Sequence, residues 1–213
     1  MIVFIGCDGA GKTTLIRKLA EEIDDFVDVK YFHIKFNLIP RLGVIVKFLK
    51  GFLSFKINVT ETRSQLENVP FDVKHTYGSD MPLWKLLVNI NFDLLDYFLG
   101  YLYIFKSQSS LIIFDRYIYE FFTELNCRRL PLFVMRFYMR LVPKPDFIFH
   151  LHNDPDTIYQ RKPELSVDEI IEIQSRIDLL FADNENLIKI KTDRSEKELS
   201  DMVLRIINID EKY

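Results

Sequence analysis

The stretch Gly6-Cys7-Asp8-Gly9-Ala10-Gly11-Lys12-Thr13 decides how this sequence is interpreted. A glycine, four further residues and then Gly-Lys-Thr is the spacing of a loop that wraps around phosphate groups. Such a loop needs a strand before it and a helix after it, so that backbone N–H groups and the helix N-terminus point at the phosphate oxygens. The apolar run Ile2–Ile5 and the amphipathic run Lys12–Ile23 meet both conditions. We call residues 6–13 the glycine loop.

Each residue type in the glycine loop has an expected task. The glycines allow close wrapping of the backbone, Lys12 reaches the outer phosphates, and the Thr13 hydroxyl ligates magnesium. A tight strand-to-helix turn without a ligand is the alternative. The residues predicted to bind the nucleotide are Gly6, Asp8, Gly9, Ala10, Gly11, Lys12, Thr13 and Thr14.

Outward from the glycine loop, short apolar runs bounded by turn residues predict strands, and runs with apolar residues at helical spacing predict helices. The strands are predicted at 2–5, 27–32, 111–114, 147–151 and 187–190. The helices are predicted at 12–23, 83–105, 130–141, 167–181 and 195–207. Because strands alternate with helices, the expected fold is α/β, a doubly wound parallel sheet with flanking helices.

The length of 213 residues is typical of one domain. Residues 36–80 mix apolar runs with Pro and Gly in no clean period, and we interpret them as an insertion within that domain. The apolar stretches 38–55 and 83–105 carry charged residues that a membrane-spanning helix would rarely tolerate. We therefore expect no membrane association.

Composition excludes several classes of function. Lys and Arg total 28 against 31 Asp and Glu, so the net charge is −3 and the basic field typical of proteins that bind duplex nucleic acid is missing. Cys7 and Cys127 are too few for a disulfide framework or a four-cysteine zinc site, which favours a reducing, cytoplasmic setting. The four histidines lack metal-ligand spacing and are interpreted as structural.

A second acidic element is predicted at Asp115, which ends the apolar run 111–114. Ligands lie at the carboxyl ends of strands in doubly wound sheets, so Asp115 is expected to face the glycine loop. There it could hold the hydration shell of magnesium or orient the attacking oxygen, while Arg116 neutralises charge on the phosphoryl group. An aspartate that only caps the following turn is the alternative.

Weaker signals concern the acceptor of the phosphoryl group. Arg128 and Arg129 could clamp an acceptor phosphate, or form a surface basic pair. Tyr117 or Phe121 could stack on an acceptor base. Lower-ranked candidates for the phosphate contact are Lys35 and Arg41.

The glycine loop with Thr14, together with Asp115-Arg116-Tyr117, resembles the thymidylate kinase family. The run Lys144-Pro145-Asp146-Phe147-Ile148, followed by Leu151 and Asp154-Pro155, resembles the family's fourth strand and its exit. The resemblance implies a five-stranded parallel sheet, ATP with magnesium as donor, and a homodimer. It also implies a lid, which we place at residues 155–166.

The resemblance implies individual roles as well. Asp8 is expected near the sugar of an acceptor nucleotide. Gly9 stands where some members have an arginine, so the lid must supply that positive charge, from Arg161 or Lys162. The family's Arg-Glu-Pro-Gly run after the second strand is replaced here by residues 31–36, which leaves the acceptor open.

Together these features predict a nucleoside monophosphate kinase, most plausibly for dTMP. The catalytic residues are predicted as Lys12, Asp115, Arg116 and Arg161, and the magnesium ligands as Thr13 and Asp115. The acceptor site is predicted to contain Asp8, Arg116, Tyr117, Arg128 and Arg129. The alternatives are a kinase of another small acceptor, and a regulatory module that binds a nucleotide without turnover and uses stretch 38–55 as a partner surface.

Overall fold

The computed structural model describes residues 1–23, 29–33, 82–105, 111–123, 127 and 129–207. The strands within these ranges are β1 (Ile2–Ile5), β2 (Val29–His33), β3 (Leu111–Asp115), β4 (Phe147–His152) and β5 (Leu187–Lys191). The helices are α1 (Lys12–Ile23), α2 (Leu83–Phe105), α3 (Ile118–Phe121), α4 (Leu132–Leu141), α5 (Pro155–Arg161), α6 (Val167–Leu180) and α7 (Glu196–Ile206).

The strands form one parallel sheet in the order β2-β3-β1-β4-β5. Strands β2 and β3 lie on one side of the central strand β1, and β4 and β5 lie on the other side. This order confirms the predicted doubly wound α/β fold. Phe4 pairs with Asp115 and Ile5 pairs with His150. The carboxyl ends of β1 and β3 therefore lie side by side, next to the start of the glycine loop.

Alternate residues of β1 enter two separate apolar clusters, one on each face of the sheet. Val3 and Ile5 belong to the cluster that includes residues of α2, α4 and α6. Ile2 and Phe4 belong to the cluster that includes residues of α1 and α7. All four are at most 2% exposed, and burying a large apolar side chain contributes about 1.5–3 kcal/mol. This packing fixes β1, and with it the position of the glycine loop.

Local capping determines where several helices begin. Ser166 with Glu169, and Ser195 with Glu198, form reciprocal capping boxes before α6 and α7. Helix α4 begins at Leu132, two residues later than predicted, because Pro131 occupies its N-cap. The short helices α3 and α5 are absent from the prediction because they have too few turns to show a period.

The structure describes the predicted lid but not the predicted insertion. The expected insertion at 36–80 lies outside the described residues, as do Lys35, Arg41 and Arg128. The expected lid at 155–166 is described as α5 followed by a turn. Among the helices that are described, none combines the length and the apolar character needed to cross a membrane.

Candidate active site

The glycine loop leaves the carboxyl end of β1 and passes directly into α1. Gly6 and Gly9 have φ angles of 147° and 86°, a region of backbone conformation that favours glycine. A side chain at position 6 would collide with the carbonyl oxygen of Leu151. A Cβ at position 9 would lie 3.1 Å from both the Ile158 oxygen and the Lys162 Cβ. The loop therefore needs glycine for its own turn and for the close approach of β4 and α5.

Lys12 begins α1 but folds back over the glycine loop. Its ammonium group donates to the backbone oxygens of Gly6 and Cys7, the latter at 3.1 Å. It also lies 3.4 Å from Glu120 Oε1, and its side chain is only 5% exposed. In this arrangement carbonyl and carboxylate oxygens surround the ammonium group that was predicted to reach the phosphates.

Asp115 ends β3, is fully buried, and contacts the start of α1. Its Oδ2 accepts hydrogen bonds from Thr13 Oγ1 at 2.8 Å and from the Tyr31 hydroxyl at 3.1 Å. Burial, and then the Asp115 charge, raise the pKa of Tyr31 well above its usual value, so the phenol stays protonated and can donate. Two residues predicted as magnesium ligands thus lie in direct contact, with Tyr31 as an additional donor.

Arg116 links the end of β3 to the glycine loop. Its φ of 67° is left-handed, an uncommon conformation for a residue other than glycine. Its backbone N–H donates to the Phe4 oxygen at 3.1 Å, and its side-chain Nη2 donates to Asp8 Oδ1. Its Nε lies 3.7 Å from Glu120 Oε1. The guanidinium is therefore held between two carboxylates at the mouth of the loop.

The two cations predicted for the lid have different surroundings at the end of α5. Arg161 Nη2 donates to the Thr192 oxygen at 3.2 Å, and within the described part of the chain it makes no hydrogen bond or ion pair with the glycine loop. Lys162 Nζ lies 3.7 Å from Asp8 Oδ2 and 3.1 Å from Glu164 Oε2. The structure thus brings Lys162, and not Arg161, to the site.

The residues predicted to bind the acceptor lie in different environments. Tyr117 is 3% exposed, its hydroxyl donates to the Pro143 oxygen at 2.8 Å, and its ring packs edge-on against Phe114. The structure therefore packs this ring into the apolar core and leaves no face of it open to a base. Phe121 is half-buried against the same core, and Arg129 is exposed.

The sequence interpretation missed Glu120 and Tyr31. Glu120 follows Arg116 by four residues, but this spacing places two residues on one face only within a continuous helix, and Arg116 precedes α3 with a left-handed backbone, so the sequence carried no signal for their contact. Glu120 is 9% exposed, and its Oε2 makes no hydrogen bond among the described residues. Tyr31 had no signal either, because its contact with Asp115 depends on the pairing of β2 with β3.

The Cys7 thiol in the glycine loop and the His150 imidazole beside Ile5 are buried and uncharged. Burial raises the pKa of Cys7 to about 11, and its Sγ lies 3.8 Å from the Ile170 oxygen. Burial also lowers the pKa of His150 to about 4, although the Asp178 charge opposes this shift. Both side chains therefore remain neutral near pH 7, as expected of structural groups.

The comparisons with known proteins agree with this architecture. No protein-family model matches the sequence, and no curated protein sequence matches it. Among solved structures, thymidylate kinase from Ehrlichia chaffeensis superimposes with a TM-score of 0.58, with 97% of each chain covered and 16% sequence identity. The chain has the fold of a thymidylate kinase. At this identity the thymidylate kinase fold is what the likeness establishes, so the activity must be argued from the site itself.

Proposed function

We propose that the protein is a nucleoside monophosphate kinase that uses ATP and magnesium, with dTMP as the favoured acceptor. One observation carries the proposal: Thr13 Oγ1, at the end of the glycine loop, donates to Asp115 Oδ2 at 2.8 Å. A hydroxyl and a carboxylate in this position are the pair that nucleotide-binding folds use at the metal-bound phosphates. The thymidylate kinase fold supports the same reaction class.

The glycine loop would bind the donor nucleotide. Backbone N–H groups at the start of α1 are aligned with the helix dipole and favour negative charge. Lys12 would exchange the Gly6 and Cys7 oxygens for phosphate oxygens, since the ammonium group prefers charged acceptors. The chain supplies position and charge, which are the main contributions of a protein to phosphoryl transfer.

Magnesium fits the oxygen donors of Thr13 and Asp115. Magnesium in phosphotransferases takes one or two carboxylates and completes its shell with water and substrate phosphates. No group of three or more His, Cys, Asp or Glu side chains is placed to hold a metal among the described residues, so phosphate and water oxygens would supply the other ligands. When bound, the ion would neutralise charge on the outer phosphates.

The transfer itself would place Arg116 beside the migrating phosphoryl group. An oxygen of the acceptor phosphate would attack the γ-phosphorus in line, and the bond to the bridging oxygen of ADP would break. Asp8 binds Arg116, and the resemblance to the thymidylate kinase family would also place it near the sugar of the acceptor. Arg128 and Arg129 remain candidates for the acceptor phosphate.

A lid formed by residues 155–166 would close over the nucleotide, and Lys162 is the cation that we assign to it. Lys162→Ala is expected to lower kcat on the order of tenfold or more, because charge stabilisation in the transition state is lost. Arg161→Ala is the matched control, with an expected change below about twofold, since Arg161 contacts Thr192. Steady-state kinetics of both variants tests the assignment, and the reverse order of effects would move the role to Arg161.

A homodimer is also part of the proposal, and helix α2 supports it. Exposed residues of α2 follow each other at alternating steps of four and three, the spacing with which two helices pack along a common seam. The row consists of Trp84, Val88, Asn91, Leu95, Phe98 and Leu102.

Sedimentation velocity tests this surface. Phe98→Asp is expected to convert the dimer into a monomer, because a charge would be buried in the seam. Leu179→Asp on α6, which is 55% exposed and lies off the row, should leave the dimer intact. A wild-type chain that sediments as a monomer at micromolar concentration would refute the dimer.

A reducing compartment such as the cytoplasm is the proposed setting. Cys7 and Cys127 are both buried, and no disulfide joins them. Thiols in secreted proteins are usually oxidised to disulfides.

The decisive experiment measures ADP release from magnesium ATP in the presence of each nucleoside and deoxynucleoside monophosphate in turn. Lys12→Ala supplies the blank. Stimulation by dTMP alone would support the full proposal, and stimulation by another monophosphate would retain the kinase and change the acceptor. If no monophosphate stimulates release although ATP binds, the proposal fails.

A kinase of a hydroxyl acceptor is the second candidate. The Asp8 and Glu120 carboxylates both approach Arg116, and negative charge there favours an acceptor that carries hydroxyl groups over one that carries phosphate. The same ADP-release assay with nucleosides as acceptors distinguishes the two candidates.

A further inference from the structure

Glu120 lies between two cations of the candidate site. A single carboxylate oxygen, Oε1, is 3.4 Å from Lys12 Nζ and 3.7 Å from Arg116 Nε. The side chain is 11% exposed, and that of Lys12 is 5% exposed. Solvent and salt therefore screen the Lys12 pair far less than a surface pair.

The contact between the Lys12 ammonium group and Glu120 must weaken when a nucleotide binds. Glu120 and a phosphate carry charge of the same sign, and both attract the same ammonium group. A buried carboxylate without a counter-charge is costly, so Glu120 must rely more on Arg116 once Lys12 turns to the phosphates. Nucleotide binding would thus strengthen the hold of Glu120 on Arg116.

Asp8 cannot replace Glu120 as the partner of Lys12 and Arg116. It also approaches Lys12, at 3.9 Å, and it binds Arg116, but it is shared with Lys162 as a third cation. Its side chain is 24% exposed, about twice as much as that of Glu120. Among the described residues, Glu120 and Asp8 are the carboxylates that contact both Lys12 and Arg116, and Glu120 is the more deeply buried of them.

We propose that Glu120 is a positioning residue with two tasks. It binds Lys12 in the nucleotide-free site and releases it to the phosphates when a nucleotide binds, and it keeps Arg116 aligned for the acceptor throughout. The proposal rests on the proposed function, because it requires a nucleotide in the glycine loop. It assigns Glu120 two opposing effects: its charge weakens nucleotide binding and its contact with Arg116 accelerates transfer.

The test is Glu120→Gln, which keeps the shape of the side chain and removes its charge. We expect the Kd for magnesium ATP to fall about tenfold, because Lys12 no longer has to leave an anionic partner. We expect kcat to fall about tenfold, because Arg116 loses one of its two carboxylates. Isothermal titration calorimetry gives the first value and steady-state kinetics gives the second.

Conservative and remote variants separate charge from structure. Glu120→Asp retains the charge, so its Kd should stay within about twofold of wild type. Glu21→Gln removes a charge that is 61% exposed and contacts Lys18 on α1, and it should leave the Kd for ATP within about twofold. If Glu120 only supported the fold, Glu120→Gln would lower the thermal midpoint without tightening ATP binding, and this outcome would overturn the proposal.

A double-mutant cycle shows whether the effect passes through Lys12. In a Lys12→Met background, Glu120→Gln should change the Kd for ATP by less than about twofold. An undiminished tenfold change would also overturn the proposal. Failure of the proposed function looks different, because wild-type protein would then bind no ATP, or would bind it equally well with Lys12→Met.

Discussion

Asp115 and His150 lie at nearly the same level on the strands that flank β1, and both are buried. Asp115 pairs with Phe4, whereas His150 pairs with the next residue, Ile5, so their side chains face opposite sides of the sheet. Asp115 accepts hydrogen bonds from Thr13 and Tyr31. Neither ring nitrogen of His150 has a hydrogen-bond partner among the described residues.

This difference shows how a buried polar group becomes part of a site. A buried carboxylate is tolerated where neighbouring elements supply donors, and α1 and β2 supply two of them to Asp115. An imidazole can avoid the cost of burial by losing its proton, and the lowered pKa of His150 reflects that outcome. The Asp115 side of β1 therefore presents a hydrogen-bonded carboxylate next to the glycine loop, and the His150 side holds a buried, uncharged ring.

The largest effect is expected from a substitution of Asp115. Asp115→Asn should lower kcat by about a hundredfold to a thousandfold, because the proposed magnesium site would lose its carboxylate charge. ATP affinity should change only a few-fold, since the glycine loop and Lys12 remain. Turnover and calorimetry on the same preparation measure both quantities. His150→Asn is the matched control, and equal losses in both variants would contradict the comparison.

The second effect concerns stability on the His150 side. The pKa of His150 is about 4 in the folded protein and about 6.5 when unfolded, so the unfolded state binds more protons between these values. Stability should therefore fall as the pH drops below about 6.5, by about 2 kcal/mol between pH 8 and pH 5. Urea unfolding at both pH values gives the difference.

The matched variants are His150→Phe and His152→Phe. His150→Phe should remove that 2 kcal/mol dependence, because an apolar ring of similar size takes up no proton. His152 is two residues further along the same strand face and is only partly buried, so its replacement should remove less. A slope that is unchanged in His150→Phe would refute the assignment.

The smallest effect is expected from the loss of a hydrogen bond to Asp115. Tyr31→Phe removes one of the two donors that the described residues supply to Asp115 Oδ2, and kcat should fall about tenfold, the value of one hydrogen bond to a charged group. The magnesium concentration for half-maximal rate should rise, since the carboxylate is held less firmly. Tyr119→Phe removes the hydroxyl of another buried tyrosine and serves as the control. Identical magnesium curves for wild type and Tyr31→Phe would remove Tyr31 from the site.

The sequence alone determined the glycine loop and the elements around it. Ile2–Ile5 and Lys12–Ile23 have the predicted bounds, because a short apolar run and an apolar stripe at helical spacing are local signals. The order of strands and helices also predicted a parallel, doubly wound sheet, since parallel strands require crossover connections.

Only the tertiary structure decided which side chains meet at the site. The hydrogen bond from Thr13 to Asp115 spans 102 residues of chain, and the packing of β1 between β3 and β4 brings the two together. The same packing brings Lys162 rather than its neighbour Arg161 to the loop and buries the Tyr117 ring. It also places Glu120 against Lys12. Sequence spacing fixes local backbone geometry, whereas the direction and the partners of a side chain depend on elements distant in the chain.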